Sequence, residues 1–232
     1  MMGAQPQERL LVALAEQLKL PLLQIARGAE LAQLEGTGQP SAATLQIAQS
    51  ALQLIDSFLL GAAEQGSLVL EPVSLSALVT DTAHELSPLA KQYGCDVRVS
   101  IGGRYGPVMA HSHSLRAALS TLAYSFIGNT ADEASVKTAI VLGVHKSPQG
   151  MVAGVFAKDS GLSSDLFKRA KALYGTAAQP LAKTSASSSA GVFIADSLLH
   201  NMAATLRVAH HKKMAGLATT LLPSQQLRLG GL

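Results

Sequence analysis

The sequence predicts an α+β chain in which an antiparallel helical hairpin precedes a layered sandwich of strands and helices. Three observations predict it. Apolar residues recur at helical spacing from residue 8 to residue 64, short alternating runs appear between helical ones past Gly66, and Gly and Pro mark the breaks. The 232 residues are 48% hydrophobic and 14% charged, which is enough apolar side chain for a sizeable core and too much for a disordered polymer.

Residues 8–35 read as a helix, with Leu11, Leu14, Leu18, Leu22, Ile25, Ala29 and Ala32 at three- and four-residue steps. Pro21 removes one backbone hydrogen bond, and because the pattern resumes on the same face it kinks the helix rather than ending it. Gly36 to Pro40 form a turn, and Ser41 caps a second helix over 41–64. There Leu45, Ala48, Leu52, Ile55, Leu59 and Ala62 alternate by three and four, a coiled-coil seam. Two helices of about 35–40 Å, at 1.5 Å per residue, cannot cover that face between them. A second copy packed against it makes a four-helix bundle, so a homodimer through residues 8–64 is expected; the alternative is that the hairpin folds back onto its own chain.

Past Gly66, Leu68 to Leu70 read as a short strand, Ser74 as the cap of a helix over 75–92, and DVRVSI (96–101) as a strand. An apolar helix over 112–127 follows. Strands near 135–145 and 151–157 flank the turn Ser147, Pro148, Gln149, Gly150. A helix near 163–173, a Ser-rich loop at 184–190, a helix over 191–203 and strands near 204–209 and 216–222 complete the pattern. Mixed strands with helices gathered on one side give an α+β sandwich.

Composition excludes several classes of function. The long apolar runs carry charges, Asp56 within 41–63 and Arg116 within 109–127, so no membrane span is expected. MMGAQPQERL lacks a basic region followed by an apolar one, which argues against a secretory signal and for a cytoplasmic protein. Cys95 alone makes neither a disulfide framework nor a cysteine zinc cage; the 7 His could bind metal only if the fold gathered them. A net charge of +3, with HHKK (210–213) the one basic run and 4% aromatic residues, gives little footing for nucleic acid.

Two stretches carry a resemblance. LIDSFLLGAAEQGSLVLEPVSLSALV (54–79) looks like the end of a second hairpin helix and the entry to the next domain. AGVFIADSLLHNMAATLRVAHHKKMAGLATTLLP (190–223) looks like a last helix, a glycine-bearing hairpin and a closing strand ending in Leu-Pro. With the order of elements, they resemble the catalytic core of sensor histidine kinases, in which a dimerisation and phosphotransfer hairpin precedes a Bergerat-type ATPase domain. On that resemblance the hairpin spans 1–66 and the ATPase-like sandwich 67–232.

The resemblance implies ATP and magnesium as cofactors and assigns positions to them. Aligned on Pro21, the phosphoacceptor His of the family is Glu16 here and its neighbouring Glu is Gln17. A carboxylate can accept a phosphoryl group only as a reactive acyl phosphate, and Gln17 is no base at neutral pH. The alternative is that both are solvated helix residues. His84, Glu85, Leu86, Ser87, Pro88 and Leu89 spell a similar run with one residue fewer before the proline, which turns the proline by about 100° relative to the His.

In the nucleotide site, VMAHSHSLRAALSTLAYSF (108–126) puts Ser125 where the family has its magnesium-holding Asn, Thr121 at a preceding polar position and His111 where an Asp is common. A neutral hydroxyl is a weak ligand for a hard cation. Asn129 could reach the same face if the helix ran that far, but Gly128–Asn129 reads more naturally as a helix end. VFAKDSGLS (155–163) keeps Asp159, the adenine-binding carboxylate of the family, and Gly161. The phosphate-cradling lid reads Ser187, Ser188, Ser189, Ala190, Gly191; serine amides at a helix N-terminus can still meet an anion, yet the glycines' freedom of φ is gone.

Framework positions persist while the phosphoacceptor, the metal Asn and most of the lid glycines are absent together. The expectation is a kinase-like dimer that is catalytically impaired and acts by binding a receiver domain or another kinase. The alternative is a divergent kinase or ATP-binding protein using Asp159 and Asn129.

Overall fold

The computed structural model describes residues 25–36, 68–130, 139–158 and 186–224, with 15, 18, 22 and a subset of positions between 41 and 59. From Glu71 the described elements are β1 (Glu71–Val73), α1 (Leu75–Gln92), β2 (Asp96–Ile101), β3 (Val108–Ala110), α2 (Ser112–Thr130), β4 (Ala139–Ser147), β5 (Gly150–Ala157), α3 (Ala186–His200), β6 (Leu206–His211) and β7 (Met214–Leu221).

Helix α1 starts where Ser74 Oγ accepts the amide of Ala77 at 3.4 Å, which satisfies one of the N–H groups the first turn leaves unpaired. Leu75, Leu78, Val79, Leu86 and Ala90 form its buried stripe. Pro88 lies inside the helix, so no amide reaches the His84 carbonyl, but the helix continues to Gln92. His84 itself is exposed.

A five-stranded sheet has the order β2-β4-β5-β7-β6, with β2 parallel to β4 and the other pairs antiparallel. Strands β4 and β5 sit inside it and read AIVLGVHKS and GMVAGVFA, nearly continuous apolar runs suited to strands covered on both faces. On one face Ile140, Leu142, Val144, Val155 and Leu217 join Leu115, Leu119 and Leu122 of α2 and Ile194 and Leu198 of α3 in the main core. Each such fully buried side chain contributes about 1.5–3 kcal/mol. A separate two-stranded sheet pairs β1 with β3 in antiparallel register, Val73 facing Val108.

The α+β reading therefore holds, with local differences. DVRVSI is a strand to the residue. The first strand lies at Glu71–Val73 rather than 68–70, because its pairing partner is Val108–Ala110. Helix α2 continues through Gly128 and Asn129 to Thr130, so Asn129 is helical rather than a cap. Helix α3 begins at Ala186, which makes 186–190 its first turn rather than the tail of a loop, and it ends at His200. The helix expected near 163–173 lies outside the described residues.

In the hairpin region, residues 25–34 are helical, Gly36 closes a turn with φ of +69°, and the described positions from 44 to 59 are helical. Ser41 Oγ accepts the amide of Thr44 at 3.2 Å, the expected cap. The two arms meet at Gly28, where an added Cβ would fall 2.2 Å from Thr44 Oγ1; only glycine permits that approach. Thr44, Ile47 and Ala51 are buried. The seam residues Leu45, Leu52 and Leu59 point the other way and are 53%, 61% and 60% exposed.

Candidate functional site

Helix α2 carries one limb of the expected nucleotide site. Ser125 is 1% exposed, and its hydroxyl donates to the Thr121 carbonyl at 3.0 Å, one turn back along the helix. This is the usual resting place of a serine inside a helix. A cation at this position would meet a neutral hydroxyl oxygen in a residue that is almost fully buried, so the residue does not fit a magnesium ligand. Thr121 is fully buried, and its Oγ1 has no hydrogen-bond partner among the described residues. Asn129 follows Ser125 by one helical turn within α2; its side chain lies outside the described residues.

His111 precedes α2 and caps it. The Ser114 amide donates to His111 Nδ1 at 3.3 Å, and Ser114 Oγ lies 2.8 Å from the same nitrogen. Nδ1 therefore carries the lone pair and the ring proton sits on Nε2. A carboxylate expected at this position is replaced by a structural cap.

The other limbs are less complete. Asp159, Gly161 and Glu16 lie outside the described residues, as does the side chain of Ser189. Gly191 is buried in α3, more than a turn past the first helical residue, so its amide belongs to the helix ladder, and Ser189 is the fourth helical residue. Among the described residues no three His, Cys, Asp or Glu side chains gather as a metal site. No helix among the described residues is long and apolar enough to cross a membrane.

A polar cluster that the sequence reading did not anticipate lies on the sheet face opposite the helices. The strand registers put Ser100, Gly143, His145, Gly154, Phe156, Gly216, Ala218 and His211 on that face. Gly143, Gly154 and Gly216 leave it bare at the centre: a Cβ on Gly143 would lie 2.8 Å from the Phe156 ring and 3.2 Å from that of His211, and one on Gly216 would lie 2.1 Å from the Val155 carbonyl oxygen. Phe156 fills this space, fully buried with Val141, Val152 and Ala218 in a second small core.

Two histidines close over it. The rings of Phe156 and His211 are 5.2 Å apart, and those of His145 and His211 are 5.1 Å apart. His211 Nδ1 lies 3.1 Å from His145 Nδ1, and His211 Nε2 lies 2.9 Å from Ser100 Oγ. Burial holds both imidazoles below the ordinary range of histidine; Arg207 adds to the effect at His145, and His145 and Lys212 add to it at His211. The sequence signal is weak: HHKK reads only as a short basic run, and Gly143, Gly154 and Gly216 lie within expected strands with nothing local to mark a shared face.

No family model matches the chain, and no curated protein matches it. Solved structures do. Full-length ShkA in complex with AMPPNP is 16% identical with a TM-score of 0.52, over 95% of this chain and 47% of that one. The nucleotide-free catalytic domain of the histidine kinase ThkA is 11% identical with a TM-score of 0.50, over 68% of this chain and 99% of that one. At these identities the likeness is one of fold: the helices and mixed sheet described above have the architecture of histidine-kinase catalytic domains.

Proposed function

We propose that the chain is a histidine-kinase-like signalling protein of two-component type that has lost phosphoryl transfer and works as a dimeric binding or regulatory protein. The observation that carries this reading is Ser125. At the position of the family's magnesium Asn it is buried, neutral and bonded to its own helix. Glu16 in place of the phosphoacceptor His and serines in place of lid glycines support the same conclusion from the sequence. The outward-facing Leu45, Leu52 and Leu59 support dimerisation through the hairpin, and the resemblance implies a receiver domain or a second kinase as the partner class.

A second reading has specific support. Asn129 is helical and one turn beyond Ser125, so it lies on the same helix face. On that reading the chain is a divergent ATP-binding kinase with Asp159 recognising adenine. Calorimetry of the full chain with ATP, with and without magnesium, separates the two. The proposal expects no saturable binding at millimolar ATP; magnesium-dependent binding abolished by Asp159→Ala would establish the alternative.

A further inference from the structure

The His145–His211 contact joins distant parts of the sheet. His145 belongs to β4 in the interior of the sheet, His211 ends the edge strand β6, and Ser100 belongs to the opposite edge strand β2. The contact thus ties the tip of the β6–β7 hairpin across the glycine-lined face to β2 and β4, above the fully buried Phe156.

The proton inventory of this contact is limited. With both rings neutral, one Nδ1 carries a hydrogen and the other a lone pair, and Ser100 completes either arrangement by accepting from or donating to His211 Nε2. One added proton is compatible with the same contact, since a single N–H still lies between the two Nδ1 atoms. A second puts two N–H groups head to head at 3.1 Å, with no acceptor between them and two like charges in contact.

The surroundings oppose charge. On the same face β2 contributes Asp96 and Arg98, paired with each other at 3.3 Å, and β6 contributes Arg207, whose guanidinium bonds Thr220. Strands β5 and β7 have no titratable side chain. Lys158 follows β5, Lys212 and Lys213 form the turn after His211, and Lys146 and His210 alternate to the other face. No carboxylate among the described residues is free to neutralise an imidazolium there. Lys212 adopts φ of +56°, the left-handed region, in the hairpin turn beside the pair.

We propose that His145 and His211 form an acid-sensitive clasp, closed while the pair holds at most one proton and opened when both rings are charged, releasing the β6–β7 hairpin and uncovering Phe156. The sign follows from linkage. Both imidazoles titrate below the ordinary value of 6.5, so the unfolded chain binds more protons than the folded one in mild acid. Stability is full above that value and is lost as the pH falls through the folded-state titration.

The test compares the full chain with His145→Gln between pH 7.5 and 5.0. The Gln amide can donate to His211 Nδ1 without titrating. Amide exchange in residues 206–216, corrected for the intrinsic rate, is expected to accelerate in the wild-type chain on acidification, about tenfold for each unit by which the titration is displaced. The variant should show a clearly smaller change. Equal pH profiles in the two proteins would overturn the clasp. If the variant does not fold, imidazole NMR of the wild-type chain decides. Linked titrations of His145 and His211 below the ordinary histidine range support the proposal, and independent titrations within that range refute it.

Discussion

Single side chains decide what α2 can do. Ser125, which the resemblance to histidine kinases sets at a magnesium-binding position, is 1% exposed and its hydroxyl donates to the Thr121 carbonyl. Ser125→Ala should therefore cost under about 1 kcal/mol, because the lost bond duplicates one the backbone already makes. Ser125→Asn, the residue that the resemblance implies at this position, should instead destabilise by about 1–3 kcal/mol, since it adds volume to a packed position. Chemical denaturation of both variants checks the pair; an Asn variant as stable as wild type would mean the position opens to a groove. Gly216 makes the same kind of point on the opposite sheet face. Its Cβ would fall 2.1 Å from the Val155 carbonyl oxygen, so even alanine forces β5 and β7 apart.

At the scale of elements, the hairpin is the part whose surface is left unfinished by a single chain. Thr44, Ile47 and Ala51 are buried, whereas the Leu45, Leu52 and Leu59 stripe faces solvent. Exposed leucines at heptad spacing are what a partner helix would cover. Sedimentation of the wild-type chain should give a dimer, and Leu45→Lys, Leu52→Lys and Leu59→Lys together should give a folded monomer; a monomeric wild-type chain would remove the bundle. The legibility of the elements follows physical lines. DVRVSI could be read because an edge strand alternates, and α1 because Ser74 and the stripe from Leu75 to Ala90 are local signals. Strand β1 was misplaced by a few residues because a three-residue strand is set by its partner, not by its own propensity. The end of α2 was misread because Gly128 and Asn129 have the chemistry of a helix stop but continue the helix. The His145–His211–Ser100 cluster was beyond reach, since its members are separated by strand pairings that no local pattern encodes.

For the molecule as a whole, the proposed reading separates architecture from chemistry. A mixed five-stranded sheet packed against α1, α2 and α3 needs only apolar runs of the right period, and the chain has those along β4, β5, α2 and α3. Phosphoryl transfer needs a nucleophile, a metal ligand and a close backbone cradle held together, and losing several at once removes most of the rate, because such groups act as a unit. On the proposed reading the fold serves as a binding surface without the reaction. The most direct measurement is incubation of the purified full chain with γ-labelled ATP and magnesium, followed by quantitation of label on the polypeptide. The account predicts none above the level of a heat-denatured control. Stable incorporation, whether acid-labile as on histidine or hydroxylamine-sensitive as on a carboxylate such as Glu16, would contradict it.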